Sequence, residues 1–258
     1  MQGHVAAIYR YPVKGFTPEA VEAARLTPGG YFPFDRLYAV EDGPSGFDPE
    51  APAHISKQRF TVIARLPQVA QVRTRYDEAT GRLTASAPGA DPLEADLTSE
   101  AGREVFAAWL AAFLGDAVEG PLKVLAAPQG YSFMDHPKGF VSILNLASVR
   151  DFEQRLGRPV DPLRFRANIH VEGWPAWAEN DLIGRALTLG AGEATVFKPI
   201  VRCTAPDANP DTGLRDLSTT HDLFDQYRHV LCGVYVEVTR GCTLKPGDAL
   251  DLIAELAA

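Results

Sequence analysis

The chain has 258 residues, 46% of them hydrophobic, with 20 Pro and 22 Gly, enough for one large mixed domain or two smaller ones with real cores. A formal charge of −8 argues against a nucleic-acid binder, whose affinity needs a cationic surface. No apolar run reaches the roughly 18 residues of a membrane helix, and three scattered cysteines (Cys203, Cys232, Cys242) argue against a disulfide framework or structural zinc.

Residues 4–13 predict a strand that ends at Pro12, residues 21–26 alternate weakly, and residues 37–40 form a short apolar strand. The start of the chain lacks a basic segment followed by an apolar one, so no secretory signal is expected and the predicted location is cytoplasmic. Residues 42–52, rich in Gly, Pro and Asp, read as a loop. Residues 69–76 and 82–87 predict a hairpin closed by the Asp77-Glu78-Ala79-Thr80-Gly81 turn.

Helical spacing follows. Val105, Phe106, Trp109, Leu110, Phe113 and Leu114 make one apolar stripe, with Thr98 or Ser99 as cap and Gly115 as stop. A second helix over 147–156 should bury Val149, Phe152 and Leu156, with Ser148 as cap and Gly157 as stop. A third is expected over 222–229. Strands are expected at 123–126, 140–144, 168–171, 186–189, 195–201, 233–239 and 249–253, the last two joined through the Pro246-Gly247 turn. Many strands, few helices and no regular βαβ alternation predict a mixed, β-rich α+β fold with a β-barrel-like core. No phosphate loop of the G-x-G-x-x-G or Walker type occurs.

The richest segment is Phe197-Lys198-Pro199-Ile200-Val201-Arg202-Cys203-Thr204, followed by Asn209-Pro210-Asp211-Thr212-Gly213. It leaves a β-branched strand, sets a thiol beside a guanidinium and enters a turn. A fixed positive charge favours thiolate, the form that attacks electrophiles or binds a soft metal. The plain alternative is a half-buried cysteine that ends a strand.

Four ordered segments carry a resemblance. They are Tyr11-Pro12-Val13-Lys14-Gly15; Leu26-Thr27-Pro28-Gly29-Gly30 leading to Phe34-Asp35-Arg36-Leu37-Tyr38; Arg164-Phe165-Arg166-Ala167-Asn168-Ile169; and Arg202-Cys203 with Asn209 to Gly213. Together they resemble the MOSC proteins, more narrowly the branch of the mitochondrial amidoxime-reducing component and its bacterial relatives. The resemblance implies an N-terminal β-barrel domain over 1–115 and a MOSC domain over 116–258. It implies a pyranopterin molybdenum cofactor (molybdenum-molybdopterin), not pyridoxal phosphate. Cys203 would be the catalytic residue and metal ligand, and Lys14, Arg36, Arg166, Asn168 and Arg202 would bind the cofactor.

The implied activity is reduction of N-hydroxylated or N-oxide-type small molecules. No iron–sulfur cysteine cluster is present, so electrons would come from a separate ferredoxin- or flavoprotein-type donor; neither nucleic acid nor membrane is an expected partner. The alternatives are a sulfur carrier with a persulfide on Cys203, or a cofactor carrier without turnover. The residue chemistry is compatible: an acidic protein holds a pterin phosphate only where cations converge, and Arg166 in an extended strand would point to the same side as Asn168. Two positions depart from the family. Gly15 stands where the lysine is often followed by Ser, and Val201 where the branch has a hydroxyl residue.

Other candidates carry less. His136 in a polar loop is a candidate proton donor. Asp207 and Asp211 could orient a proton, although Asp211 reads better as a turn residue. His221 and His229 read as surface, Cys232 and Cys242 as small core residues. Trp174 and Trp177 suit packing better than a substrate mouth.

Overall fold

The computed structural model describes residues 1–253 apart from Gly139. In chain order the strands and helices begin β1 (His4–Arg10), β2 (Glu19–Ala20), β3 (Ala24–Leu26), β4 (Tyr38–Asp42), β5 (Arg73–Tyr76), β6 (Arg82–Ser86), β7 (Leu93–Asp96), α1 (Glu100–Leu114) and β8 (Leu122–Ala126). They continue β9 (Val141–Asn145), α2 (Leu146–Leu156), β10 (Ile169–Glu172), β11 (Ala186–Leu189), β12 (Gly192–Val201), α3 (Thr219–Tyr227), β13 (Leu231–Arg240) and β14 (Cys242–Leu244). The fold is mixed α+β, and its main element is a curled seven-stranded half-barrel sheet ordered β11-β12-β13-β9-β10-β1-β2.

Strand β9 lies at the middle of this sheet, and all five of its residues are buried, as a strand covered on both faces requires. It runs parallel to β10 and antiparallel to β13. Val5, Ile8, Val141, Ile143, Val171, Val196 and Val234 build the core over the sheet, and their β-branched side chains suit a pleated surface. A second core joins Phe16, Tyr38, Val40, Leu83 and Val124 to the buried face of α1. Strands β1 and β2 belong to the sheet otherwise built from residues beyond 140, and the late strand β14 pairs with the early strand β3. The early and late parts of the chain thus exchange strands.

Local differences from the sequence reading have physical reasons. Strand β1 stops at Arg10, because the Tyr11 N–H turns to Asp35 Oδ1 (2.7 Å) and Pro12 has no N–H to give. Residues Pro67–Gln71 form a 3-10 turn with Pro at its start, so that strand begins only at Arg73. The short strand β7 adds a third member to the expected hairpin. Ser99 Oγ caps α1 by accepting from Gly102 N (3.0 Å), but Val105 is half exposed rather than part of the buried stripe.

Helix α2 starts at Leu146 with Asn145 as its cap, Oδ1 accepting from Ala147 N (3.1 Å). The expected cap, Ser148, is fully buried and donates to Glu179 instead (2.8 Å). Helix α3 begins three residues earlier than expected, its first N–H held by Asp207 Oδ1 (2.7 Å). Residues 249–253 contribute single bridges, His4 to Ala249 and Leu187 to Leu252, rather than a ladder.

Candidate functional site: a cation-lined cavity at Cys203

Three backbone segments bring the site together. Arg36 N donates to Tyr11 O (2.7 Å) and Lys14 N to Tyr38 O (2.7 Å), which lays the two N-terminal motifs side by side. The 3-10 turn Pro162–Phe165 ends at Arg166, and β12 delivers Cys203 just beyond its last residue. Arg36 (φ 50°) and Arg166 (φ 55°) are both left-handed, a conformation that costs a side-chain-bearing residue about 1–2 kcal/mol. The local conformation at Arg166 overturns the extended Arg-x-Asn reading: this arginine caps a turn, and the strand starts only at Ile169.

Between these segments lies a cavity of about 220 Å³. Cys203, Arg36, Lys57, Asp135, Arg166 and Arg202 are among the residues that line it. Lys14 joins Arg36, Lys57, Asp135, Arg166 and Cys203 in an adjoining recess. Cys203 is half-buried. The guanidinium groups of Arg36 and Arg166 both lie against the Tyr11 ring, 4.5 and 4.4 Å from its centroid. Tyr11 itself is fully buried, and cation–π contacts with desolvated rings contribute about 2 kcal/mol or more.

The two arginines differ in how they are satisfied. Arg36 Nη1 pairs with the buried Asp35 carboxylate, and its Nη2 donates to Arg166 O (3.1 Å). Arg166 Nη1 donates to Phe16 O (2.6 Å), while Nη2 is buried without a hydrogen-bond partner among the described residues. Burial, with repulsion from Arg36, pulls the Arg166 pKa down to about 10 although Tyr11 opposes the shift. A buried guanidinium nitrogen with no acceptor leaves unmet the demand that an anion meets.

Lys14 is buried (3% exposed). Its Nζ donates to Phe133 O (2.8 Å) and to Asp135 Oδ1. Burial lowers its pKa, and Asp135 works against that. Lys57, from the 3-10 turn Lys57–Arg59, lines the cavity with Cys203 and sits 4.0 Å from Asp135 Oδ2. Burial lowers its pKa, but Asp135 and Cys203 overcome that, and the net shift is upward. Burial pushes Asp135 up, whereas Lys14 and Lys57 prevail and hold its carboxyl well below the usual range.

Two expected cofactor residues do other work. Asn168 is fully buried and is not among the residues that line the cavity. Its Oδ1 accepts from Ser142 N (3.1 Å) and Ser142 Oγ (2.8 Å), and its Nδ2 donates to Tyr9 O (3.3 Å), which ties β9 to β1. Arg202 does line the cavity, but its Nε donates to Cys232 O (2.8 Å) and its Nη1 to Phe165 O (2.6 Å). It is a strut that fixes the end of β12 against its neighbours, so fewer of its donors face a ligand.

The remaining candidates sort cleanly. His136 lies between Phe197 and Tyr235, with ring centroids 5.6 and 6.1 Å away, and lines the cavity. Burial and then Lys198 lower its pKa. Its Nδ1 accepts from Lys138 N (3.1 Å), so the neutral ring carries its proton on Nε2. In the turn after Cys203 it is Asn209 Oδ1 that accepts from Asp211 N (2.9 Å) and Thr212 N (3.1 Å), and Asp211 instead pairs with Arg73 (2.7 Å). Trp174 and Trp177 donate to Leu250 O (2.9 Å) and Asp151 Oδ2 (2.7 Å) in packed surroundings. Cys232 is buried, and burial pushes its thiol up to about 12. Lys57 and Asp135 were not singled out as site residues from the sequence; both sit in segments without regular periodicity, where no pattern signals them.

Residues 130–251 match the MOSC domain, and residues 2–119 match the MOSC N-terminal beta barrel domain. The chain belongs to the MOSC proteins, with both domains present in that order. MOSC domains are associated with binding of the molybdenum cofactor, and the family also includes non-catalytic members. Mouse (Mus musculus) "Mitochondrial amidoxime-reducing component 1" is 27% identical over 127 residues, 44% of this chain and 36% of that protein. The match therefore spans little more than a third of that relative. Among solved structures, the YuaD protein of Bacillus subtilis aligns over 97% of this chain and 94% of its own at 13% identity and a TM-score of 0.44. YiiM of Geobacillus stearothermophilus aligns over 45% of this chain and 55% of its own at 22% identity and a TM-score of 0.35. No helix among the described residues is long and apolar enough to cross a membrane.

Proposed function

We propose that this chain binds the molybdenum–molybdopterin cofactor and reduces N-hydroxylated or N-oxide-type small molecules, with electrons from a separate ferredoxin- or flavoprotein-type donor. The observation that carries the reading is the cavity itself: Cys203 and Arg166, whose buried Nη2 has no hydrogen-bond partner among the described residues, both line it. A soft sulfur ligand and an unsatisfied guanidinium suit a group with a metal at one end and a phosphate at the other. When bound, the cofactor supplies two-electron oxygen-atom chemistry at its metal.

The protein's part is positional and electrostatic. Cys203 offers the sulfur that would hold the metal. Arg36, Arg166 and Lys14 offer charge-assisted donors to the phosphate, and the arginines give planar forks suited to its oxygens. Lys57 adds a positive charge close to Cys203, and the Cys203 side chain in turn helps raise the Lys57 pKa. His136, neutral near pH 7, presents Nε2–H at the cavity and can give a proton to a substrate oxygen or nitrogen. The domain division at residues 115 and 116, and a cytoplasmic setting, belong to the same proposal.

A second reading has support in the half-exposed Cys203 thiol, which would also suit a sulfur carrier with a persulfide. Intact-mass and metal analysis distinguishes the two. Bound pterin with molybdenum supports the reductase, whereas a cofactor-free chain with one added sulfur on Cys203 supports the carrier. Cys203→Ala should retain the parent's melting temperature and lose reduction of a benzamidoxime-type substrate with a reconstituted donor. A variant as fast as the parent would refute the role given to Cys203.

A further inference from the structure

The cavity already holds an anion of its own. Asp135 reaches in from the loop between β8 and β9, its Oδ1 accepting from Lys14 Nζ and its Oδ2 4.0 Å from Lys57 Nζ. It lines both the main cavity and the adjoining recess. The site's other carboxylate, Asp35, is built in differently: it is buried, bound by the Tyr11 N–H (2.7 Å) and paired with Arg36. The Asp135 side chain is 50% exposed, although the Lys14 side chain that it meets is 4% exposed.

The loop that carries Asp135 changes character at residue 133. Before that point it is anchored: Ser132 Oγ donates to Asp35 O (2.7 Å), Phe133 N donates to Arg36 O (3.0 Å), and the Phe133 ring is buried. From 134 to 138 the Met134 side chain is buried and His136 lies against Phe197 and Tyr235, but the backbone links are local or peripheral, namely Met134 N to Ser132 O (2.7 Å), Lys138 N to His136 Nδ1 (3.1 Å) and Tyr31 Oη to Pro137 O (3.2 Å). A strap held at Phe133 and again at Phe140, whose O accepts from Phe32 N (2.9 Å), can flex between those points and move its carboxylate without disturbing the sheet.

We propose that Asp135 is an internal counter-anion that occupies the cation cavity when no ligand is bound, and that residues 134–138 swing out as a phosphate-bearing ligand enters. Like charges that share one set of cations repel, so carboxylate and phosphate compete for Lys14 and Lys57. The device keeps the buried Lys14 paired in the empty protein and couples loop position to loading. It rests on the reading of this cavity as an anion site.

The test uses inorganic phosphate and pyrophosphate as probes on the full chain, purified from a host that cannot make the cofactor. Calorimetric titration should show Asp135→Asn binding the probe about tenfold more tightly than the parent, the effect of removing one like charge from a solvent-connected site. In the parent, phosphate should raise amide hydrogen exchange at residues 134–138 while exchange at 131–133 stays unchanged, a readout that needs no variant. If the parent binds phosphate while Asp135→Asn binds no better, or if exchange at 134–138 stays level or falls, the counter-anion role is overturned and the anion site stands. Absence of binding to both proteins removes the anion site, and the strap proposal with it.

Discussion

Arg166→Met should leave the cofactor-free protein about as stable as the parent, although it loses a charged side chain with two contacts, and at the same time unable to respond to phosphate. Burial holds the Arg166 pKa at about 10, against an ordinary 12.5. Below pH 10 the charged form is therefore about 3 kcal/mol worse off in the fold than in the unfolded chain. This penalty is fully present at every working pH and fades only between pH 10 and 12.5. Methionine removes it, keeps an extended side chain against the Tyr11 ring, and meets the same left-handed backbone cost, since φ is 55°. Against the gain stand the hydrogen bond to Phe16 O, whose loss costs about 1–2 kcal/mol, and the cation–π contact with Tyr11, about 2 kcal/mol, of which a sulfur–aromatic contact returns about 0.3–1.5 kcal/mol.

The balance is close to zero, within about 1 kcal/mol, so the melting temperature should shift by no more than roughly 4 °C for a chain of this size. Urea denaturation of the parent and Arg166→Met, each with and without 20-fold excess phosphate over the parent's Kd, reads both effects. The parent should gain about 1.8 kcal/mol from phosphate by mass action, and the variant close to none. A variant that is 2 kcal/mol less stable than the parent, yet still protected by phosphate, would refute the reasoning.

Two further predictions concern residues that shape the fold near the site. His170 is buried (3% exposed), its Nε2 has no hydrogen-bond partner among the described residues, and burial lowers its pKa to about 4; the unfolded chain takes up that proton first, so stability falls as pH drops from 6.5 to about 4, by up to about 3 kcal/mol. Urea midpoints at pH 7 and pH 4.5 should show His170→Phe losing less with acid than the parent, and equal losses would contradict this. Gly15 has φ 89°, and an added Cβ would lie 2.8 Å from Val62 Cα and 2.9 Å from Thr61 O; Gly15→Ser should therefore cost about 2 kcal/mol or more despite its hydroxyl, and a neutral effect on the urea midpoint would show that the loop relaxes.

The Gly15 geometry also gives a physical reason for one departure from the family pattern: no side chain fits there without displacement of residues 61 and 62. What the sequence made legible was mostly periodic. The apolar stripe of α1, the caps at Ser99 and Gly115, and the β-branched runs of β9, β10, β12 and β13 follow from spacing and burial alone. Short pieces escaped, such as β7, because four residues with one buried position carry no period. At the site, motif residues 14, 36, 166 and 203 line connected recesses. Asn168 and Arg202 belong to the same motifs, but their polar atoms largely serve the main chain, a division that sequence spacing does not encode. Lys57 and Asp135 reach the cavity through tertiary folding of irregular loops, so nothing local marks them.

Molybdenum and pterin analysis of the parent chain, purified from a host that demonstrably loads another molybdoenzyme, tests the central claim most directly. The account predicts close to one molybdenum and one pterin phosphate per chain, with molybdenum greatly reduced in Cys203→Ala and the pterin phosphate greatly reduced in Arg166→Met. Parent protein free of both metal and pterin under those conditions would contradict it.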